Sequence, residues 1–207
     1  MTFLIAAALA ACSLGQDSAA PAADNPCRTG PVSWRRLASE GDRERMRDWR
    51  PTWDVALAEA RAAGHGEEIE REGALLEPDA ALTRPELPPG DYDCRTIKLG
   101  SQFDGGLAFV PYPPFRCRVG SDGGVVTFTK LTGSQRPVGR LYQDMDRRLI
   151  FLGTMQLGDE RRAFRYGTDR QRDMIGLVER IGERRWRLVL PSPRYESKLD
   201  VIELVPR

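Results

Sequence analysis

The sequence has a single histidine, His65, and only three lysines, Lys98, Lys130 and Lys198, among 31 basic residues. One histidine excludes a metal centre built from several imidazoles and leaves a nucleophilic cysteine without a nearby base. There are four cysteines, Cys12, Cys27, Cys94 and Cys117, and no two have the close spacing of a zinc knuckle. The P-loop, the dinucleotide-binding glycine pattern, the GxSxG elbow and HExxH are all missing. The formal net charge is +1, and arginines and aromatics form no strip, so a nucleic-acid partner is not expected. The longest apolar run, residues 3–11, is far short of the ~20 residues that span a bilayer as a helix. What remains is a globular balance, 41% hydrophobic and 29% charged, with enough chain for a real core.

The apolar run ends in Leu9-Ala10-Ala11-Cys12. Its length and the small residues at its end fit a cleaved export signal. The four residues resemble the lipobox of bacterial lipoproteins. That resemblance implies removal of residues 1–11 and acylation of Cys12, a multi-chain anchor that holds firmly to a membrane. In lipoproteins an aspartate after the acylated cysteine marks retention in the inner membrane. Ser13 stands there, which implies the outer membrane with the domain facing the periplasm. Residues 12–31 are rich in Ala, Pro, Ser, Gly and Asp with no hydrophobic period, which reads as a tether reaching roughly 25 Å.

From Ser33 to about Gly73 the pattern is helical, with Ser33 as the expected N-cap. Met46, Trp49, Trp53, Leu57 and Ala60 recur at spacings of three and four, which places them on one face directed at a core. Pro51 interrupts the stretch, and because the apolar phase runs across it, one kinked helix is expected. Pro78, Pro85, Pro88 and Pro89 end the helical segment, 32–88.

Beyond Pro89-Gly90 the period becomes two. Tyr92, Cys94 and Thr96 alternate with charged residues, as do Phe115, Cys117 and Val119. Short β-rich runs follow, separated by turn signals such as Ser121-Asp122-Gly123-Gly124, Thr132-Gly133-Ser134 and Gly182-Glu183. About eight short strands predict an α+β chain: a helical segment, then a small antiparallel β-barrel over 89–207. Cys94 and Cys117 share the inward phase of neighbouring strands and are expected to form a disulfide in an oxidising compartment, contributing roughly 3 kcal/mol. Cys27 is left unassigned. In Phe109-Val110-Pro111-Tyr112-Pro113-Pro114-Phe115, aromatics and prolines together make Tyr112 and Phe115 candidates for a binding surface, or for a loop packed over one barrel end.

No catalytic, cofactor-binding or metal-ligating residue is assigned. His65 reads as a helix-end residue, and the acid pairs Asp144/Asp146 and Asp159/Glu160 as turn residues. The tracts Leu87–Gly100, Tyr112–Arg118 and Leu131–Arg136, with the stretch from Trp34 to Leu57, resemble an uncharacterised family of bacterial envelope proteins, known as a domain of unknown function. Gly90-Asp91-Tyr92 is also similar to the tract opening small lipocalin-like barrels, some of which inhibit secreted proteases. The expectation is a non-enzymatic, lipid-anchored envelope protein whose barrel binds a small apolar ligand or a protein partner. A periplasmic protease inhibitor and a hydrolase with an unfamiliar site are the alternatives.

Overall fold

A computed structural model describes residues 33–207. Cys12, the tether 12–31 and Cys27 lie outside the described residues. Four short helices come first: α1 (Trp34–Leu37), α2 (Glu40–Arg47), α3 (Trp49–Ala62) and α4 (Gly66–Glu72), followed by a 3-10 turn (Gly73–Leu75). Nine strands follow: β1 (Gly90–Ser101), β2 (Phe109–Pro111), β3 (Phe115–Asp122), β4 (Val125–Lys130), β5 (Gln135–Met145), β6 (Arg148–Leu157), β7 (Asp173–Gly182), β8 (Arg185–Pro191) and β9 (Ser197–Pro206). β1 and β3–β9 pair in antiparallel sequence, and β1 closes on β9 over the register Tyr92↔Pro206 to Ser101↔Ser197. The result is a closed barrel of eight strands with no free edge along its main seam.

β2 continues β3 along the same edge of β1. β2 pairs Ile97↔Pro111 and β3 pairs Cys94↔Phe115, so two residues of β1 face the three residues Tyr112, Pro113 and Pro114. This is a bulge. Pro113 and Pro114 have no N–H to give, and a single bond, Tyr112 N–H to the Thr96 carbonyl at 2.9 Å, crosses the gap. The Cys94–Cys117 disulfide, with Cα atoms 5.9 Å apart, staples β1 to β3 beside it. The 109–115 segment is therefore barrel wall and not a free loop.

β1 and β6–β9 are buried on two faces. Inward, Tyr92, Phe128, Phe151, Trp186, Leu188 and Leu204 fill the barrel. Gly153 and Gly139 face each other across β5 and β6, and a Cβ on either would collide with the Phe151 ring and with backbone. Their bareness gives that ring its space. One end is plugged by the chain before β1: Leu87 is buried with the inner residues, and the Tyr92 hydroxyl donates to the Pro88 carbonyl at 2.6 Å. Outward, Ile97, Leu99, Leu177, Val189, Leu199 and Val201 pack against Trp53, Leu57 and Ala60. At Gly100 (φ +62°) an added Cβ would come 3.2 Å from the Ala56 Cα, so glycine lets α3 lie close on β1.

The helical segment departs from expectation in two ways. The chain restarts at Asp48, giving separate α2 and α3, and Pro51 sits in the first turn of α3. Proline costs nothing there, because first-turn amides have no intrahelical acceptor. Ser33 makes no capping bond. Ser39 does, accepting from the Asp42 amide at 3.1 Å, with Glu40 and Asp42 on the positive end of α2.

Arg187 joins the two layers. It points outward from β8 and is fully buried. Its guanidinium donates to Glu179 on β7 at 2.8 and 2.6 Å and to the carbonyls of Ala74, Leu75, Glu77 and Pro78 at 2.6–3.2 Å. It also lies 4.6 Å from the centre of the Trp53 ring. Truncation would leave the Glu179 carboxylate and several carbonyls buried without donors. Arg187→Ala is expected to lower unfolding free energy by about 3–5 kcal/mol in denaturant titration, more than Arg118→Ala at an exposed pair, where less than about 1 kcal/mol is expected.

Candidate functional site

The barrel interior is filled from the plugged end past its middle and opens at the other end. That end is bounded by the connections 102–108, 131–134, 158–172 and 192–196. It holds a cavity of about 120 Å³. Its lining mixes charged and polar side chains with Phe115, Pro137, Met155 and Ile202. Thr96 and Lys98 from β1, Lys130 from β4 and Asp200 from β9 all point into it. They continue the inward phases of Tyr92 and Cys94, of Phe128, and of Ile202 and Leu204.

The two ammonium groups are held differently. Lys98 Nζ lies 3.0 Å from Gln135 Oε1, 3.0 Å from Glu196 Oε2 and 3.6 Å from Asp200 Oδ2. Burial pulls its affinity for a proton down, and the Asp200 and Glu196 carboxylates more than offset this, so its pKa lies above the usual lysine range. Burial pushes the Asp200 carboxyl up, against the opposing pull of Lys98 and the hydroxyl of Ser197. Lys130 is 4% exposed and has no carboxylate partner among the described residues. Its Nζ donates to the Gln135 carbonyl at 2.9 Å and sits 3.6 Å above the Phe115 ring. Burial and, secondarily, Lys98 pull its pKa down to about 8. Gly133 (φ +91°) closes this corner, and a Cβ there would fall 2.9 Å from both Lys130 Nζ and the Phe115 ring. Thr96 is 7% exposed, and its Oγ1 is one of four buried side-chain polar atoms without a hydrogen-bond partner among the described residues.

Of the residues expected from sequence, Tyr112 and Phe115 line this cavity, with ring centres 6.3 Å apart. Cys94 and Cys117 form their disulfide behind it. His65 stacks on Phe109 at 5.2 Å, outside the barrel. Asp144 accepts from Trp34 Nε1 at 2.8 Å and Arg148 Nε at 2.7 Å, and Glu160 pairs with Arg172 and accepts from the Leu157 amide at 2.9 Å. Both acids hold the structure together. Sequence reasoning missed Lys98, Lys130, Thr96 and Asp200 as a group. A second cavity, of about 830 Å³, lies on the outer side of β4–β6 beneath Phe164, Arg165 and Tyr166. No helix of the described residues is long and apolar enough to cross a membrane, and they contain no cluster of metal-ligating side chains.

The depressed Lys130 pKa sets a pH dependence. Between about 8, its value in the fold, and 10.5, its ordinary value, the unfolded chain binds a proton there that the folded one does not. Folding stability therefore rises with pH through this window. The tyrosines Tyr92 and Tyr166, pushed up to about 12 mainly by burial, act in the opposite direction only above pH 10. Denaturant titrations at pH 7.5 and 10 are expected to show a gain on the order of 2 kcal/mol that is missing from Lys130→Met.

No curated protein and no solved structure matches the chain. A family model, described as a domain of unknown function (DUF4893), matches residues 34–204, which takes in the helices and nearly the whole barrel. The chain belongs to the DUF4893 family.

Proposed function

We propose that the protein is a non-enzymatic, lipid-anchored member of the bacterial envelope, held at the outer membrane through Cys12, whose barrel receives a small polar ligand at its open end. The observation that carries the ligand reading is the placement of buried polar groups. Elsewhere the inner wall is apolar and packed, but around the opening it turns to Thr96, Lys98, Lys130 and Asp200, with space left beside them. Ligand sites have this combination of concavity and a few convergent polar groups. The anchor reading rests on the four residues ending at Cys12. The disulfide suits an oxidising compartment.

A protease inhibitor needs an extended segment free to enter a cleft; of the two candidates, residues 109–115 are engaged in the barrel wall, and the tether 12–31 lies outside the described residues. A hydrolase finds less support, since His65 is outside the barrel and the Asp144 and Glu160 carboxylates are occupied by arginines.

Two measurements test this. Labelled palmitate should enter the chain in its host, and Cys12→Ser should abolish both labelling and membrane fractionation; unchanged fractionation removes the anchor. Native mass spectrometry of protein extracted from host membranes should reveal a small adduct that is lost on denaturation. A chain that is always empty overturns the ligand reading.

A further inference from the structure

We propose that the open end of the barrel is a binding site for a monoanionic carboxylate, held by the Lys130 ammonium and the Thr96 hydroxyl. This rests on the reading of that end as the ligand site and names the chemistry it takes.

Two independent features point to an absent acceptor-bearing group. The first is Lys130. An ammonium carries three donors. One reaches the Gln135 carbonyl, and the Phe115 ring covers one side with its negative face. Neither neutralises the charge. A buried cation without a counter-ion is costly, and such groups are normally paired. The second is Thr96 Oγ1, buried and unpartnered on the wall of the same cavity. Buried hydroxyls almost always find a partner, so an orphan one facing a cavity marks where a partner belongs, and a group bound to the Lys130 ammonium brings an acceptor there.

The charge count selects a monoanion. Lys98 is paired with Glu196 at 3.0 Å and Asp200 at 3.6 Å, which leaves Lys130 as the buried ammonium without a carboxylate beside it. One positive charge is left over. A carboxylate cancels it, whereas a phosphate dianion would leave a buried negative charge close to Asp200. The volume of about 120 Å³ admits a carboxyl group and a short carbon stem. Phe115, Pro137, Met155 and Ile202 supply apolar contact for the stem. The choice of lysine fits as well: a compact ammonium satisfies one ligand oxygen where the broader arginine fork would fill the space.

The groups facing Lys130 set the pH response: Lys98 on β1, Tyr112 in the bulge, Arg136 on β5, Glu196 in the connection before β9 and Asp200 on β9. With Lys130 titrating near 8, binding weakens above that pH.

The test uses the mature chain in detergent, with the Met155 methyl resonance as reporter. The probes are acetate, propionate and butyrate, their neutral amides, and inorganic phosphate. Carboxylates should move Met155 saturably and bind at least about tenfold more tightly than the matching amides and phosphate. Lys130→Met should lose at least about tenfold in affinity, as should raising the pH from 7 to 9.5, and Thr96→Val several-fold. Lys198→Met, which alters the lysine outside the cavity, should change nothing. Lys130→Met removes a buried charge, so its thermal midpoint should be no lower than that of the parent, which separates lost binding from lost folding. Equal binding of amides, or full binding by Lys130→Met, overturns the carboxylate site while leaving a ligand pocket. If no probe moves Met155, the carboxylate site is overturned, and the ligand reading is decided separately by the native mass spectrum.

Discussion

A guanidinium with no access to water must have its donors satisfied by the protein, and Arg187 obtains partners from three parts of the chain at once. Glu179 comes from the neighbouring strand, the carbonyls of residues 74, 75, 77 and 78 from the segment after α4, and the Trp53 ring from α3. The polar segment that would otherwise leave carbonyls facing an apolar sheet is thereby fixed to β8. The helices are consequently part of one core with the outer sheet face and not an appendage to the barrel. This explains why β1 and β6–β9 are buried on both sides although each belongs to a single-layered barrel.

Much of this architecture was legible in the sequence. The alternations at Tyr92/Cys94 and Phe115/Cys117/Val119 gave the barrel phase and the disulfide, and the spacing of Met46, Trp53, Leu57 and Ala60 gave the helix face. The illegible parts share a physical cause: a charged side chain in an alternating strand is ordinarily a solvent-facing one. Arg187 sits among apolar residues in Trp186–Leu190 and reads as an outward polar position, which it is, except that a helical layer covers that face. Lys98, Lys130 and Asp200 read the same way, yet each continues an inward run. The phase 92, 94, 96, 98 and the pair 128, 130 carried the signal, as did the scarcity of lysine in a chain that uses arginine nearly everywhere. The break at Asp48 was hidden because two helices in sequence kept their apolar faces aligned toward the same sheet.

The barrel divides its interior between two tasks. Toward the plugged end, rings packed edge to face (Tyr92 on Trp186, Phe128 on Phe151) fill the space and supply stability. Toward the open end the wall becomes charged and leaves room. The bulge at Tyr112–Pro114 lies at this transition. By removing ladder bonds next to Thr96 it leaves the wall beside the cavity more thinly hydrogen-bonded on that side, and the disulfide close behind holds β1 to β3 there.

The seam between β1 and β9 joins residues 96 to 114 positions apart, from Ser101 with Ser197 to Tyr92 with Pro206. No subset of the strands can close the ring before the final one is present. Until then, two long rows of unpaired backbone groups face outward, each a template for another chain. Closure must wait for the slowest, most distant contacts. A folding copy is thus most exposed to self-association in the interval just before β9 finds its place, and any factor that shields those two rows would govern yield more strongly than one that speeds the helices.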